Sequence, residues 1–228
     1  MAKKNNVVAV IAAFNEEKKI SKVIRQVAKH VNHIIVVDDG SVDNTALKAK
    51  YKKVTILRHI INLGQGAALQ TGFEYARILK PDVVITYDAD GQFEASDINK
   101  FVKPIVKRKA DVVLGSRFLG KALSMPQSRL IILKLGILFT RFFSNIRLTD
   151  THNGFRAFSG EAINKIELKH NRWAHPSEII YQISKNKFRV KEVPITVRYS
   201  KYSWKKGQKN TEAFKIPIEL IIKALVNS

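Results

Sequence analysis

The sequence contains no cysteine, which excludes structural disulfides, thiolate metal sites and cysteine nucleophiles and fits a reducing compartment. It also lacks any charge-free run of roughly 18 apolar residues, the length a membrane-spanning helix requires. The opening Met1-Ala2-Lys3-Lys4-Asn5-Asn6 leads straight into an apolar, strand-like segment with no small-residue cleavage pattern, so no secretory signal is expected. Acid is scarce: 19 Asp and Glu stand against 40 Lys and Arg, a formal charge of +21. That excess favours polyanionic partners, whether nucleic acid, an anionic membrane face or a phosphorylated substrate. Neither a base-stacking RNA module nor a helix-turn-helix with a basic recognition helix is visible, so no nucleic-acid partner is expected. The positive charge is concentrated, since Lys121 to Thr149 and Ile195 to Lys209 each hold five basic residues and no acid.

What is present is a chain of 228 residues with 45% hydrophobic content, enough for one large α/β domain or two small ones. Apolar strands are predicted at Val7 to Ala12, His33 to Val37, Val54 to Leu57, Asp82 to Thr86 and Asp111 to Leu114. Between them, Ile20, Val23, Ile24, Val27 and Val31 fall on one helical face, a second helix runs from Ala67 to Leu79, and Ser96 and Asp97 are cap candidates for a third. Such alternation predicts a mostly parallel central sheet with helices on both faces.

The organising stretch is Asp82 to Gln92. Its first half is β-branched and apolar, as in a doubly buried strand. Its second half sets Asp88, Asp90 and Gln92 at alternate positions on the turn where the strand ends. Hard oxygen donors in that pattern suit Mg2+ or Mn2+ shared with a substrate phosphate, although Asp-x-Asp also occurs in ordinary acidic turns. Open parallel sheets bind ligands beyond the carboxyl ends of their strands, and Phe14-Asn15-Glu16 and Asp38-Asp39 follow two other strands. A crevice lined in this way can hold a base and ribose through carboxylates while a cation holds the diphosphate. Asn62-Leu63-Gly64-Gln65-Gly66 has neither P-loop spacing nor a dinucleotide fingerprint and reads chiefly as a turn.

Six segments occur in order: Val10-Ile11-Ala12-Ala13-Phe14-Asn15-Glu16-Glu17, Val36-Val37-Asp38-Asp39-Gly40-Ser41, Asn62 to Ala68, Asp88-Ala89-Asp90-Gly91-Gln92, Gly115-Ser116-Arg117 and Asn153-Gly154-Phe155-Arg156. Together they resemble the family-2 glycosyltransferases of the GT-A fold, and within them the dolichyl- and polyprenyl-phosphate sugar synthases. The resemblance implies a GT-A glycosyltransferase domain over 1–228, with a nucleotide-sugar half at 1–115, an acceptor half at 116–210 and a terminal amphipathic helix at 211–228. It implies nucleotide-sugar contacts from Ala13, Phe14, Glu16, Asp39, Gly64, Asp88, Ala89, Arg198 and Lys206, and a metal site at Asp88, Asp90 and Gln92. Arg117 and Arg129 match basic positions that meet the acceptor phosphate, with Asn153 and Glu178 also on the acceptor side. Asp90, Arg117, Arg129 and Asp150 are the candidate catalytic residues. The expected activity is metal-dependent, inverting transfer from a GDP- or UDP-sugar to a membrane-borne polyprenyl phosphate. The expected place is the cytoplasmic face of the membrane, peripherally bound, with a membrane subunit or a second copy as a candidate partner. The alternatives are extension of a lipid-linked oligosaccharide or surface polysaccharide, and a non-catalytic basic protein that binds membrane or nucleic acid. Ala12 and Phe14 replace a frequent proline and tyrosine, Gln65 replaces a frequent lysine, and the Arg198 to Lys209 segment departs from the mannose-synthase pattern.

The chemistry distinguishes the acceptors. Departure of a nucleoside diphosphate builds negative charge that a cation and nearby Arg or Lys stabilise. A phosphate acceptor is already anionic, whereas a sugar hydroxyl needs a base, and Asp150 is either that base or a loop-ordering acceptor. His152 and His175 have no partner histidine at metal-site spacing and read as loop residues. Gln127, Lys134 and Arg141 lie seven apart on one helical stripe, leaving a wide apolar face that either enters the core or lies in a membrane interface. Helical spacing of Phe214, Ile218, Ile221 and Leu225 predicts the terminal amphipathic helix.

Overall fold

The computed structural model describes residues 5–144, 146–172 and 174–199. Lys206, all but the first two residues of the Arg198 to Lys209 segment, and the terminal helix expected at 211–228 lie outside the described residues. Seven strands form one sheet: β1 (Val7–Ala13), β2 (His33–Asp38), β3 (Val54–Arg58), β4 (Val83–Thr86), β5 (Val112–Leu123), β6 (Arg156–Ser159) and β7 (Val190–Arg198), in the order β3-β2-β1-β4-β6-β5-β7. The β1–β2, β1–β4, β2–β3 and β5–β7 pairs are parallel, and only β6 runs antiparallel to its neighbours β4 and β5. The expectation of a mostly parallel sheet is met.

The sheet is covered on both faces because its strands alternate which face each apolar side chain enters. Val7, Ala9, Ile11 and Ala13 of β1 join α1 (Ile20–Val27) and α4 (Ile98–Val106) in one core layer. Val8 and Val10 join α3 (Gln65–Ile78), α6 (Gly160–Lys165) and α7 (His175–Lys185) in the other. A short α2 (Thr45–Lys48) follows β2, and α5 (Gln127–Ser144) follows β5. The β7 edge accommodates Pro194, as expected of an edge strand.

Three local readings are corrected. Ser96 and Asp97 do not cap α4. A single 3-10 turn over Ala95–Asp97 precedes the helix, no side chain caps it, and Asp97 instead pairs with Lys100 at 2.7 Å. Strand β5 runs on to Leu123, past a register shift between Ser116 and Lys121, where its residues become largely exposed and lose the apolar signal. Strand β6 was not anticipated, being only four residues long.

Candidate functional site

Because β1, β2, β4 and β5 are parallel, their carboxyl ends share one edge, and the antiparallel β6 presents its start there instead of its end. The segment from Asp150 to Arg156 is thereby laid beside the turn after β4. A cavity of about 680 Å3 opens at this edge. Ala13, Phe14, Glu16, Asp39, Gly64, Asp88, Ala89, Asp90, Gln92, Arg117 and Arg129 all border it. The predicted residues from four strand ends therefore converge.

Asp88 is half-buried just after β4. Burial pushes its pKa up, while Arg156, Arg117 and a 3.2 Å hydrogen bond donated by Gln65 Nε2 pull it down. Its carboxylate rests against Gly154: a Cβ at that glycine would lie 2.5 Å from both Asp88 oxygens. The Gly154 carbonyl accepts a 2.6 Å bond from Thr86 Oγ1, which fixes the approach. Asp90 Oδ1 accepts from Gln92 N at 2.9 Å, folding the turn so that both border the cavity. Among the described residues no cluster of three or more His, Cys, Asp or Glu side chains is placed to hold a metal unaided. Two carboxylates and the Gln92 amide are a partial, all-oxygen set, which fits a Mg2+- or Mn2+-type ion completed by substrate phosphate and water.

Asp39 is fully engaged by its own loop. Oδ1 meets His59 Nδ1 at 2.7 Å and Leu63 N at 3.0 Å, and Oδ2 accepts from Asn62 Nδ2 at 3.0 Å and Gly64 N at 2.8 Å. With about four acceptor positions per carboxylate, it ties the post-β3 loop to the post-β2 turn before any base arrives. Gly64 and Gly66 admit the next layer. A Cβ on either would overlap the backbone oxygens of Asn171 or His170, so the loop after α6 closes directly on the start of α3. Ala67 N donates to Asn171 O at 3.2 Å across that contact.

The other end of the cavity is cationic. Arg117 Nε donates to Asp150 Oδ2 at 2.6 Å, its Nη1 to the Tyr199 hydroxyl at 2.6 Å and its Nη2 to His152 O at 3.1 Å. Arg117 N also donates to Asp150 Oδ2 at 3.0 Å, and Glu192 accepts from Asp150 N at 3.2 Å. Asp150 is buried behind Arg117 and does not border the cavity. Arg129, Arg156, Arg172, Tyr199, His152 and His175 do. Burial pushes Arg156 down to about 10, against the pull of Asp88 and Asp150. It pushes His152 down to about 4 and His175 to about 3, so both imidazoles are neutral near pH 7.

Three expected contacts lie outside the cavity wall. Glu178 accepts from Lys169 N at 2.8 Å and His170 N at 3.1 Å, bracing the loop that covers Gly64 and Gly66. Asn153 Oδ1 accepts from Phe155 N at 2.9 Å. Arg198 pairs with Glu94 at 2.7 Å, and its backbone N donates to Gln92 O at 3.0 Å, beside the metal turn. Gln65, Arg156, Arg172, His175 and Tyr199 had no assigned contact in the sequence reading. Arg156 and Gln65 belong to segments that carry the family resemblance, and His175, expected in a loop, is instead the first residue of α7; Arg172 and Tyr199 had no such signal.

Residues 8–167 match the family described as Glycosyl transferase family 2. The UDP-N-acetylglucosamine--dolichyl-phosphate N-acetylglucosaminyltransferase of Methanococcus voltae is 34% identical over 236 residues, 93% of this chain and 94% of that protein. The polyprenol monophosphomannose synthase of Mycolicibacterium smegmatis is 28% identical over 200 residues, 82% of this chain and 75% of that protein. The glucosyl-3-phosphoglycerate synthase of Mycobacterium tuberculosis, solved with Mn2+, UDP and phosphoglyceric acid, superposes with a TM-score of 0.75 at 16% identity, covering 97% of this chain and 78% of that one. At that identity the likeness concerns the fold.

Proposed function

Since the chain belongs to glycosyl transferase family 2, we propose that it moves a sugar from a nucleotide donor to the phosphate of a membrane-borne polyprenyl chain. The observation that carries this reading is the acceptor end of the cavity, which offers Arg117 and Arg129 but, among the described residues, no competent base. Asp150 is locked behind Arg117, and His152 and His175 are held at about 4 and 3 by burial, too weak to draw a proton from a sugar hydroxyl. A phosphate monoester needs no such help, because it arrives ionised. The carboxylates that do border the cavity lie on the β1, β2 and β4 turns, at its nucleotide and metal end.

Asp88, Asp90 and Gln92 would hold the divalent cation, whose chemistry is to neutralise charge on the donor diphosphate. Ala13, Phe14, Glu16 and Gly64 border the base and ribose end, shaped by the Asp39 loop. Arg117 and Arg129 draw the acceptor phosphate to the sugar's anomeric carbon. A phosphate oxygen forms the new bond to that carbon, the bond to the donor diphosphate breaks, and the nucleoside diphosphate leaves with the electron pair. This is one displacement, with inversion. Arg198, whose backbone amide donates to Gln92 O, would turn its side chain from Glu94 toward the departing diphosphate.

The membrane side of the reading rests on α5. Ile131, Leu135 and Leu138 occupy one face and are 60%, 51% and 66% exposed, while Leu133 is buried. Lys134 and Arg141 are exposed beside them, a composition suited to an anionic lipid interface. No helix among the described residues is long and apolar enough to cross a membrane. The two relatives carry different sugars in their names, so family membership leaves the donor open.

The test supplies radiolabelled nucleotide sugars with polyprenyl phosphate in detergent or vesicles. Label should enter the organic phase as a polyprenyl-phosphate sugar, chelator should abolish it, and Asp90→Ala should reduce it at least about a hundredfold. Label that extends an oligosaccharide but never a polyprenyl phosphate would refute the acceptor assignment. A folded protein indifferent to both chelator and Asp90→Ala would refute catalysis.

A further inference from the structure

Arg156 and His175 border the cavity from two different elements, β6 and the start of α7, and the mechanism above uses neither. Arg156 is 2% exposed, and its Nη1 is buried with no hydrogen-bond partner among the described residues. A buried guanidinium N–H without a partner is unfavourable until an acceptor oxygen reaches it. Strand pairing places Arg156 opposite Thr86, two residues before Asp88. Its guanidinium borders the cavity within electrostatic reach of Asp88 on one side and of Arg117 and Asp150 on the other, the stretch a sugar between diphosphate and acceptor would occupy.

His175 supplies the opposite kind of group. Its Nδ1 lies 2.7 Å from the Arg172 carbonyl oxygen, an acceptor only, so Nδ1 carries the proton. In the neutral ring Nε2 is then a bare lone pair. Burial holds the ring neutral, and nearby Arg156 adds to that effect. The sugar subsite thus presents a cationic donor and a neutral acceptor.

We propose that Arg156 and His175 form a donor-sugar subsite selective for an acetamido sugar, with Arg156 donating to the acetamido carbonyl and His175 Nε2 accepting its N–H. This inference rests on the transferase reading and names its donor class. A sugar carboxylate would satisfy Arg156 but face the His175 lone pair with another acceptor. A hydroxyl carries both functions on one oxygen and matches less well two groups held on separate elements. The amide has its acceptor and donor on different atoms. Ala68 and Pro176 also border the cavity and offer apolar surface for the methyl group.

The test is calorimetric binding in the presence of Mn2+ to UDP, UDP-N-acetylglucosamine, UDP-glucose, UDP-glucuronic acid and GDP-mannose. It uses the full chain and its His175→Phe and Arg156→Lys variants. The wild type is expected to bind the acetamido donor about tenfold more tightly than UDP-glucose, with the glucuronate weaker still. Both variants should bring the acetamido-to-glucose ratio close to one while their affinity for UDP itself holds, which also reports that they are folded. UDP-glucose or GDP-mannose binding as well as the acetamido sugar overturns this subsite and leaves the transferase reading standing. Variants that lose UDP and the sugars in parallel also overturn it, because the two side chains would then be supports of the fold. A folded wild type that binds none of these nucleotides overturns both readings.

Discussion

Arg117 and Asp150 form an ion pair of 2.6 Å in which the side chains are 6% and 0% exposed. A buried pair of this kind contributes little net stability while intact, but removing one partner strands the other charge, at a cost of about 3–5 kcal/mol. Asp150→Ala is therefore expected to lower the unfolding free energy by about that much and to abolish transfer, since Arg117 loses two bonds that aim it. Asp150→Asn keeps the volume and an acceptor oxygen. It should retain transfer within about tenfold of wild type, whereas removal of a true general base costs about 10²–10⁴. Denaturant unfolding and initial rates on the two variants separate positioning from proton abstraction.

Gly154 provides a second test of how the site is held. A methyl group there would lie 2.5 Å from both Asp88 carboxylate oxygens, and β6 is anchored on each side by β4 and β5, so Asp88 is the group that has to move. Gly154→Ala should preserve the fold but displace Asp88 by up to an ångström, which costs on the order of a hundredfold in rate. Weakened Mn2+-dependent binding of UDP, measured by calorimetry, together with an unchanged far-UV spectrum, is the expected pair of results.

Asp88 and Gly154 also mark the limit of what the chain discloses as a sequence. The turn after β4 was legible because a β-branched run ends in three oxygen side chains, and parallel strands put such ends together. Strand β6 was not, because Arg156 to Ser159 is short and includes a buried arginine and a serine in place of an apolar repeat. Without β6 there was no way to see that Gly154 and Arg156 reach the metal turn. Asp39 illustrates a different gap. Its position at a strand end was readable, but its four bonds to His59, Leu63, Gly64 and Asn62 depend on a loop closure 20 to 25 residues away. Glu178 was expected on the acceptor side as a match to the family, yet its two partners are backbone amides, which side-chain patterns do not reveal.

The buried histidines predict how stability varies with pH. His152 and His175 are pushed by burial from 6.5 down to about 4 and about 3 in the folded protein. Between those values and 6.5 the unfolded chain binds more protons than the folded one, so stability is complete above 6.5 and falls as the pH drops. The loss from pH 6.5 to 5 should be roughly 2 kcal/mol per histidine. Asp88, pushed up by burial, acts in the opposite direction because the folded protein takes up its proton first, but it is one group against three, since burial lowers His33 as well. Urea unfolding at pH 7 and pH 5 should show the lower stability at pH 5, and His175→Phe should flatten the dependence. A stability that rises on acidification from 6.5 to 5 would contradict the burial of these rings.

The exposed face of α5 makes the acceptor's membrane origin measurable. Ile131, Leu135 and Leu138 recur at four and three residues, so they project from one side of the helix, while Leu133 and Thr140 are buried on the other. In water this stripe is unfavourable. Placed among lipid headgroups it gains about 1.5–3 kcal/mol for each side chain fully buried, and less for partial insertion. Replacing Leu135 with Asp removes one such term and sets a negative charge against an anionic surface. Leu135→Asp is therefore expected to weaken cosedimentation with phosphatidylglycerol-containing vesicles about tenfold or more, with the effect enlarged by Leu138→Asp. Because none of these three side chains borders the cavity, transfer to a short, water-soluble prenyl phosphate should remain near wild type while transfer to a long-chain acceptor in vesicles falls with binding. Equal loss on both acceptors would mean that the stripe supports the fold of the acceptor site instead of its contact with lipid.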